Sequence, residues 1–477
     1  MADATPAAAA GSIGAAGIRA GTGPDTRAPA PATRRASKLA QFSWALCDAS
    51  RVPYNVLVNI FVFSAYYTSA VSANGVEGQA RWSFITAAGA IIVALTAPVL
   101  GAIADAGGRR KPWLAATYVI GVPAMMLLWF ATPGMTSGLV FISIAVILGN
   151  LFYEYSQIFA NAMLPNVVPP ERIGFLSGAG LAVGNLSGIV LFCFFLFAWS
   201  WNPAPLFGLD LGQHEPERAV GILAGIWAVL FCLPLFFFTP DSPGTSRTMG
   251  QAISHGVGSL VQTVRKIRNY RNVATFLVAR VLFYEGFIVL MLFTGVFASG
   301  ILKWTSTMLI VQGLANSVAA AIAGFFAGWL DTRIGSKAAT IFFVVGCLLA
   351  NLVLCSVTPD TAFFVHIDPA ASATGGLFPT LPDKVFLVTQ CSIAFVVTGG
   401  LATGRSLMAK ISPQSMLNEF FGLFAMSGTA TSFIGPAVIG VLTLVFQSQR
   451  VGVAVGLFFL VAGLLVMFKV REEPTPG

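Results

Sequence analysis

Charged residues are scarce in this chain. Only 10% of its 477 residues are Asp, Glu, Lys or Arg, whereas about 25% is usual for a soluble domain. That shortage excludes an ordinary soluble protein. The Lys and Arg residues stand in short clusters between apolar runs, which is not the pattern of a broad basic surface for nucleic acid. No nucleic-acid partner is therefore predicted.

Residues that could form a metal or catalytic site are also few. The six cysteines form no CxxC pair, and the three histidines lie far apart in the sequence. We therefore predict no metal site and treat the cysteines as small core residues. The sequence contains no phosphate-binding loop of the Walker type, no HExxH and no nucleophile elbow. We predict neither an enzyme nor a cofactor.

Long apolar stretches are abundant instead. The chain is 56% hydrophobic, and stretches of about 20 residues, the length that crosses a bilayer as a helix, recur along it. The fold class that follows is an all-α integral membrane protein whose surroundings are the lipid bilayer. The twelve predicted spans lie at about 42–72, 79–104, 112–131, 137–163, 173–200, 218–238, 271–298, 303–330, 336–356, 384–404, 416–446 and 450–470.

The distribution of Lys and Arg predicts the orientation. With the N-terminus inside, 20 of the 27 Lys and Arg fall in cytoplasmic segments, five in outer loops and two within spans. Positive charge is enriched on the cytoplasmic side of membrane proteins, so both termini are predicted to be cytoplasmic. We expect a monomer in the plasma membrane, which in a bacterium is the inner membrane.

The longest internal connection divides the spans six and six. A parallel repeat of this kind predicts a transporter with its site between the halves. The halves also echo each other, since AGWLDTRIGSK (327–337) is the counterpart of GAIADAGGRRK (101–111). The predicted parts are a disordered cytoplasmic tail (1–38), a first six-helix bundle (39–240), a cytoplasmic linker with an interfacial helix (241–270), a second six-helix bundle (271–470) and a cytoplasmic tail (471–477).

Two spans carry polar stripes. A charge near the bilayer centre costs roughly 2.5–3.5 kcal/mol, and helical spacing places the polar residues of each span on one face. We favour a water-filled cavity opposite these faces, with interhelical hydrogen bonding as the alternative. The stripes are Asp48, Arg51, Asn55 and Asn59 in the first span and Asn150, Glu154, Gln157 and Asn161 in the fourth.

Further polar residues lie in the second half of the chain. Arg280 and Tyr284 share one face of the seventh span, and Glu285 lies on roughly the opposite face. One of those faces must therefore meet protein rather than the cavity. The remaining candidates for the cavity are Gln312 and Asn316 in the eighth span and Gln390 in the tenth.

Several stretches resemble known families. GAIADAGGRRK resembles the loop signature between the second and third helices of the major facilitator superfamily. Others resemble the vacuolar amino-acid effluxer (autophagy-related) family and its bacterial relatives of unknown substrate: CDASRVPYN (47–55), NAMLPNVVPPERIGFLSGAGLAVGNLSG (161–188), YEG (284–286) and NEFFGLFAMSGTATSFIGP (418–436). The resemblance implies two six-helix bundles of the major facilitator fold. Arg51, Glu285 and Thr429 stand where that family is expected to have Asn, Asp and Lys.

The same resemblance implies a gate at the inner boundary of the membrane. Asp105 would meet the start of the eleventh helix near Glu419 and stabilise the outward-facing state, and the stretch at Asp331 would repeat the device in the second half. The predicted gating residues are Gly101, Asp105, Gly108, Arg109, Arg110, Asp331, Arg333, Lys337 and Glu419.

These observations predict a secondary active transporter that works by alternating access on a small, amino-acid-like organic solute, by efflux and with proton coupling. Asp48, Glu154 and Glu285 are the carboxylates placed to carry a proton through the membrane, and Glu154 is the first choice. A sugar or glycoside–cation symporter is the alternative. An alternative of another class is a non-transporting membrane assembly factor on the same fold.

Overall fold

The first half of the chain forms six helical spans. The structure is a computed structural model that describes residues 36–107, 109–241, 270–368, 375–413 and 417–472. We number the spans 1 to 12 in chain order. Spans 1 to 6 are Lys38–Pro53 with its continuation Tyr54–Phe61, Phe63–Tyr66 and Tyr67–Val71; Gly75–Gly107; Lys111–Met126 with Leu127–Phe130; Leu139–Val167; Pro170–Phe194 with Phe195–Ser200; and Glu215–Phe238.

The second half repeats this pattern. A small antiparallel hairpin of two strands, Thr361–Ala362 and Val365–His366, stands between spans 9 and 10. Spans 7 to 12 are Arg271–Leu292 with Thr294–Ile301; Ser306–Ile334; Ser336–Ser356; Leu381–Ile411; Leu417–Thr431 with Ile434–Phe446; and Gln449–Met467.

Span 1 is the irregular one. Among the described residues, eleven helices are long and apolar enough to cross a membrane, and span 1 is not one of them. Its first helix ends at Pro53 and is followed by π-helical turns on both sides of a bend at Val62. Proline removes a backbone donor and clashes with the preceding turn, which breaks regular helix. Counting span 1, the twelve predicted spans are present.

The spans pack mainly within their own half. Span 1 lies against spans 5 and 6, and span 4 lies against spans 2 and 3. In the second half, span 7 lies against span 12, and span 10 lies against spans 8 and 9. The halves meet chiefly where span 2 runs along span 11 and where span 1 meets the end of span 7, with a smaller contact between spans 5 and 8. This arrangement of two six-helix bundles confirms the predicted fold class.

The halves touch closely at one end, which we call the closed end and define by the connections 72–74, 302–305 and 447–448. The Gln79 side chain donates to the Thr443 hydroxyl (2.8 Å) and to the Gln449 carbonyl (3.0 Å). A Cβ added at Gly295 would collide with the carbonyl oxygen of Ile60. Because Gly295 has no side chain, spans 1 and 7 approach each other backbone to backbone there.

Each half is tied together at its other end by an acid that follows its last span. In the first half, Asp241 accepts hydrogen bonds from the backbone N–H groups of Arg110 (2.9 Å) and Lys111 (3.3 Å), at the start of span 3. The Lys111 ammonium in turn donates to the Phe236 carbonyl near the end of span 6 (2.8 Å). A negative group suits a helix N-terminus and a positive group suits a C-terminus.

We call these contacts of Asp241 and Lys111 the end clasp, and the second half has an end clasp of its own. Glu472 accepts from the backbone N–H groups of Ser336 (2.7 Å) and Lys337 (2.9 Å), at the start of span 9. The Lys337 ammonium donates to the Phe468 carbonyl after span 12 (3.2 Å). Lys111 and Lys337, which end the two similar stretches, therefore make equivalent hydrogen bonds. The sequence repeat is accompanied by a repeat of these contacts.

The predicted segment boundaries fall partly outside the described residues. The disordered tail is described only at 36–38, where span 1 begins at Lys38. The linker with its interfacial helix is described only at 241 and 270, and the second tail only at 471–472. The boundaries of the tails and the linker therefore stay predictions. The helices of the structure begin and end several residues away from the predicted span limits. Span 10, for example, continues to Ile411 rather than ending at 404.

Replacing Glu472 with Ala should lower the stability of the protein, because the clasp loses two backbone hydrogen bonds and the ion pair of Glu472 with Lys410. We expect a loss of about 1–2 kcal/mol, seen as a lower apparent melting temperature in detergent. The control is Glu77→Ala, which removes only a partly exposed pair with Arg81 and should cost less than about 1 kcal/mol. Equal melting temperatures for the two variants would contradict a structural role for the clasp.

Candidate functional site

A cavity of about 650 Å³ lies between the two halves. Spans 1, 2 and 4 line it from the first half, and spans 7, 10 and 11 line it from the second. Its wall is apolar in part, with polar groups converging from both sides, which is the usual form of a small-molecule site. The polar lining residues are Asn55, Asn59, Thr86, Asn150, Tyr153, Glu154, Gln157, Arg280, Tyr284, Arg405, Thr429 and Ser432.

The stripe of span 4 reaches this cavity. Asn150, Glu154 and Gln157 line it as the helical spacing predicts. Tyr54 fixes the wall behind them, because its hydroxyl donates to the Val146 carbonyl (3.1 Å) and approaches Asn150 (3.3 Å). Among the described residues, Glu154 makes no hydrogen bond or ion pair. Its carboxylate is therefore available to a solute, to water or to a proton.

Asn161 does not belong to the lining. It is exposed and lies about two turns beyond Glu154, on the same face of span 4 but nearer the end of the helix. Spacing along a helix predicts the face of a residue, not how far the cavity extends along that face. The prediction of Asn161 as a cavity residue therefore does not agree with the structure.

Span 1 divides between the cavity and the protein interior. Asn55 and Asn59 line the cavity and lie one turn apart, with a long hydrogen bond between their side chains (3.4 Å). Asp48 and Arg51 do not line it. Arg51 donates to one oxygen of Asp48 through two nitrogens (2.7 and 3.0 Å) and lies 5.3 Å from the centre of the Tyr153 ring.

The Asp48–Arg51 pair is therefore an interior ion pair next to the cavity. Asp48 is 9% exposed and Arg51 is 4% exposed. Gly180 of span 5 leaves room for the carboxylate, since a Cβ there would stand 2.8 Å from Asp48 Oδ2. The two opposite charges compensate each other, and a buried charge requires such a partner. The sequence predicts both residues as cavity lining, and the structure places them behind the lining, because their position depends on spans 4 and 5.

Span 7 presents Arg280 and Tyr284 to the cavity. The Arg280 guanidinium donates to the Ser427 hydroxyl (2.6 Å) and lies 3.7 Å from the centre of the Phe424 ring and 4.9 Å from that of Tyr284. A cation over aromatic faces is stabilised without being neutralised. Among the described residues, Arg280 has no acidic partner.

Glu285 occupies the opposite face of span 7, inside the protein. Its Oε2 accepts the backbone N–H of Gly435 (2.9 Å), at the start of the second helix of span 11. It is 1% exposed, and its other oxygen has no hydrogen-bond partner among the described residues. Glu285 therefore caps the helix that follows the break in span 11, and it does not line the cavity.

Three amides predicted as cavity candidates are placed in the interior. Gln312 is fully buried, and neither its amide oxygen nor its nitrogen has a partner among the described residues. Asn316 is partly buried, four residues further along span 8. Gln390 accepts from the Thr294 hydroxyl (2.9 Å), which ties span 10 to span 7. None of the three lines the cavity, and Gln390 fits the alternative of interhelical hydrogen bonding.

Arg405 and Ser427 belong to the candidate site and are not among the predicted cavity residues. Arg405 lines the cavity from span 10, although the predicted end of that span at 404 places it among the cytoplasmic Lys and Arg residues. The helix continues to Ile411, so Arg405 faces the cavity. Ser427, the partner of Arg280, lies within the family-like stretch 418–436, and only the packing of spans 7 and 11 identifies its role.

The predicted inner gate is only partly described. The side chains of Asp105 and Glu419 and all of Gly108 lie outside the described residues, so the latch stays a prediction. Gly101 has no atom within 4 Å of an added Cβ, so it is not a point of close helix approach. Arg109 is exposed.

The second-half counterpart differs from the expectation. Among the described residues, Asp331 pairs within its own half, with the Ser336 hydroxyl and with Lys410 (3.3 Å), and reaches no residue of the other half. Arg333 lies 5.7 Å from the centre of the Trp329 ring, one turn away on the same span. These contacts belong to the region of the end clasp and show no second latch across the interface.

Known proteins resemble the chain in sequence and in fold. The MFS-type transporter YxiO of Bacillus subtilis, itself described as uncharacterized, is 23% identical over 441 residues, which are 90% of this chain and 94% of that protein. Autophagy-related protein 22 of Cryptococcus neoformans is 24% identical over 306 residues, 62% of this chain and 50% of that protein.

Solved structures share the fold. A variant of the nucleoside transporter NupG matches with a TM-score of 0.64 at 13% identity, over 91% of this chain and 98% of that one. The D-xylose–proton symporter matches with a TM-score of 0.61 at 14% identity, over 92% of this chain and 98% of that one. Identities this low show the fold alone.

The family follows from the sequence match. The family model described as "Vacuole effluxer Atg22 like" matches residues 70–173 and 171–474, which is most of the chain. Together with the fold, this makes the protein a multi-pass membrane transporter rather than an enzyme. The chain belongs to the vacuole effluxer Atg22-like family, within the major facilitator superfamily.

Proposed function

We propose that this protein exports an amino-acid-like solute in exchange for protons. The observation that carries the proposal is the composition of the cavity. Glu154 contributes an unpaired carboxylate from span 4, and Arg280 contributes a guanidinium without an acidic partner from span 7. A zwitterion has one charge for each, an ammonium for Glu154 and a carboxylate for Arg280. A bidentate or charge-assisted contact of this kind is among the stronger polar interactions.

The same carboxylate suggests how protons are coupled. A carboxylate that alternates between a paired and an unpaired state binds and releases a proton. If Glu154 holds either the solute ammonium or a proton, but not both, each crossing exchanges one for the other. An inward proton gradient then drives the solute outward. Direction and coupling both follow from competition at a single group.

The Asp48–Arg51 pair supports this role from behind. Arg51 lies over Tyr153, a lining residue next to Glu154 in the sequence, and interacts with Glu154 electrostatically. When Glu154 carries no proton and no solute, Arg51 is the nearby cation that stabilises its charge. We infer that Arg51 shares its charge between Asp48 and Glu154 during the cycle.

The competing functions fit the lining less well. A sugar has no charge to match Glu154 or Arg280, although Tyr153, Tyr284 and Phe424 offer aromatic faces on which a sugar ring could lie. A non-transporting assembly factor has no use for unpaired charges inside a membrane, where each is costly. The charged residues of the cavity therefore favour a charged solute.

Glu154→Gln should abolish coupling, because an amide cannot take up a proton at this position. In proteoliposomes, a pH gradient should drive amino-acid movement through the wild type and should drive none through the variant, which should fall to the level of empty liposomes. Glu77→Gln, at a partly exposed carboxylate of the closed end, should behave as the wild type. Gradient-driven transport that survives Glu154→Gln would rule out Glu154 as the proton carrier.

We also propose an orientation. Both termini are cytoplasmic by the distribution of Lys and Arg, which makes the closed end the outer face of a plasma membrane. Alternating access then requires the contacts at the closed end to open. Gly295 is the point where opening is easiest to force, since a side chain there meets the backbone of Ile60.

Gly295→Leu should prevent closure and hold the cavity open to the outer face. We expect a cysteine introduced at Thr86, a lining residue, to react with an impermeant maleimide from the outside at a rate at least about tenfold higher than in the Gly295 parent, because a shift of about 1.4 kcal/mol changes a population tenfold. Transport should be lost.

Gly324→Leu is the matched control, since Gly324 has no atom within 4 Å of an added Cβ and should leave labelling and transport unchanged. Both glycine variants are compared after size-exclusion chromatography, so that a misfolded fraction is removed. Unaltered labelling in Gly295→Leu would refute the view that this contact closes the outer face.

A further inference from the structure

The cavity contains more positive than negative charge. Of its lining residues, Arg280, Arg405 and Glu154 are the charged ones. The Asp48–Arg51 pair nearby is already neutral as a unit. The lining therefore carries two cations and one anion, a balance that a neutral amino acid would leave incomplete.

The two cations face the same space. Arg280 and Arg405 come from spans 7 and 10 and are close enough for their charges to repel. Arg280 is 7% exposed and donates one hydrogen bond, to Ser427. Arg405 is exposed and makes no hydrogen bond or ion pair with a described residue. A guanidinium has five N–H donors, so most of the donors of this pair are unused by the protein.

Unused cations inside a membrane protein need an anion. Two like charges in one cavity raise the free energy of the empty site, and an anion between them removes that cost while gaining charge-assisted hydrogen bonds. Arg is also the side chain whose planar fork best fits a carboxylate. The Arg280–Arg405 pair is therefore built to hold carboxylate oxygens.

Tyr284 lines the same cavity as these cations and Glu154. It lies beside the Arg280 guanidinium and interacts electrostatically with Arg280, Arg405 and Glu154. The carboxylate and the two guanidinium groups therefore open onto one cavity of about 650 Å³, a volume that suits a small solute. Asn150 and Gln157 flank Glu154 with amides that can complete the hydrogen bonds of an ammonium.

We propose that the solute is an acidic amino acid, with two carboxylates and one ammonium. Its ammonium is held by Glu154, its α-carboxylate by Arg280 and its side-chain carboxylate by Arg405. This assignment rests on the proposed function, an amino-acid exporter, and deepens it by naming the class of side chain. The charges of the solute and of the lining then complement each other one for one.

The test compares ligands of equal shape that differ in one charge. Purified full-length protein is titrated with L-glutamate, L-glutamine, L-aspartate and L-asparagine, and the apparent melting temperature is followed because a ligand that binds the native state raises it. The acidic member of each pair should bind at least about tenfold more tightly, which corresponds to one charged hydrogen-bonded contact.

The variant that isolates the side-chain contact is Arg405→Gln. Because Arg405 is exposed in the cavity, its replacement should leave the fold intact. L-glutamate should bind about ten- to hundredfold more weakly, while the affinity for L-glutamine should stay unchanged. Arg280→Lys keeps the charge of its site but loses the fork, and should weaken both ligands together. Arg81→Gln, at a partly exposed arginine of the closed end, is the matched control and should change neither affinity.

Each result decides between the two proposals. Equal binding of glutamate and glutamine to the wild type, or an equal loss of affinity for both in Arg405→Gln, would overturn the proposal that the solute has an acidic side chain. The proposed function as an amino-acid exporter would not be affected by that result. Binding of D-xylose with no response to any of the four amino acids would overturn the exporter itself. Glutarate has the two carboxylates and the carbon chain of L-glutamate but no ammonium. A thermal shift with glutarate that matches the one with L-glutamate would show that the ammonium does not contribute to binding, which also overturns the assignment.

Discussion

A charge in lipid must be paired or must face water, and this constraint organises the whole molecule. A charged side chain near the bilayer centre costs roughly 2.5–3.5 kcal/mol even on a lenient scale, and the chain has few of them. Among the described residues, six such side chains show how the charge is accommodated. Asp48 and Arg51 neutralise each other, and Glu285 caps a helix that restarts inside the protein. Glu154, Arg280 and Arg405 open onto a cavity. Only the last of these arrangements leaves charge for a solute.

The end clasps show how the halves remain rigid while the interface between them changes. Each clasp ties the start of the third span of a half to the chain after its sixth, through one acid and one lysine. All of these contacts lie within a half, and none crosses to the other. A movement of one half against the other can therefore leave them intact. The described contacts that must break lie at the closed end and include those of Gln79 with Thr443 and of the Ser306 hydroxyl with the Glu217 carboxylate, together with the backbone approach at Gly295.

The two halves are therefore alike in some contacts and different in others. The twofold repeat is preserved where it holds each half together, as the two lysines that end the echoing stretches show. It is broken in the cavity, where the first half provides a carboxylate and amides and the second half provides guanidinium groups. A symmetric cavity would offer the same charge on both walls. Under the proposed function, this asymmetry lets the two halves hold opposite charges of one solute.

Sequence patterns alone determined the number of spans, their division into halves and the faces of spans 1, 4 and 7, because hydrophobic length and helical period depend on local composition. Asn55, Asn59, Asn150, Glu154, Gln157, Arg280 and Tyr284 were found in this way and do line the cavity. Only the tertiary structure decided how deep the cavity reaches and which polar groups find partners on neighbouring spans. Asn161 lies beyond it, Asp48 and Arg51 are closed off by spans 4 and 5, and Arg405 enters it because span 10 continues past the predicted end. A helical face is a property of one segment, whereas a cavity is a property of the six that surround it.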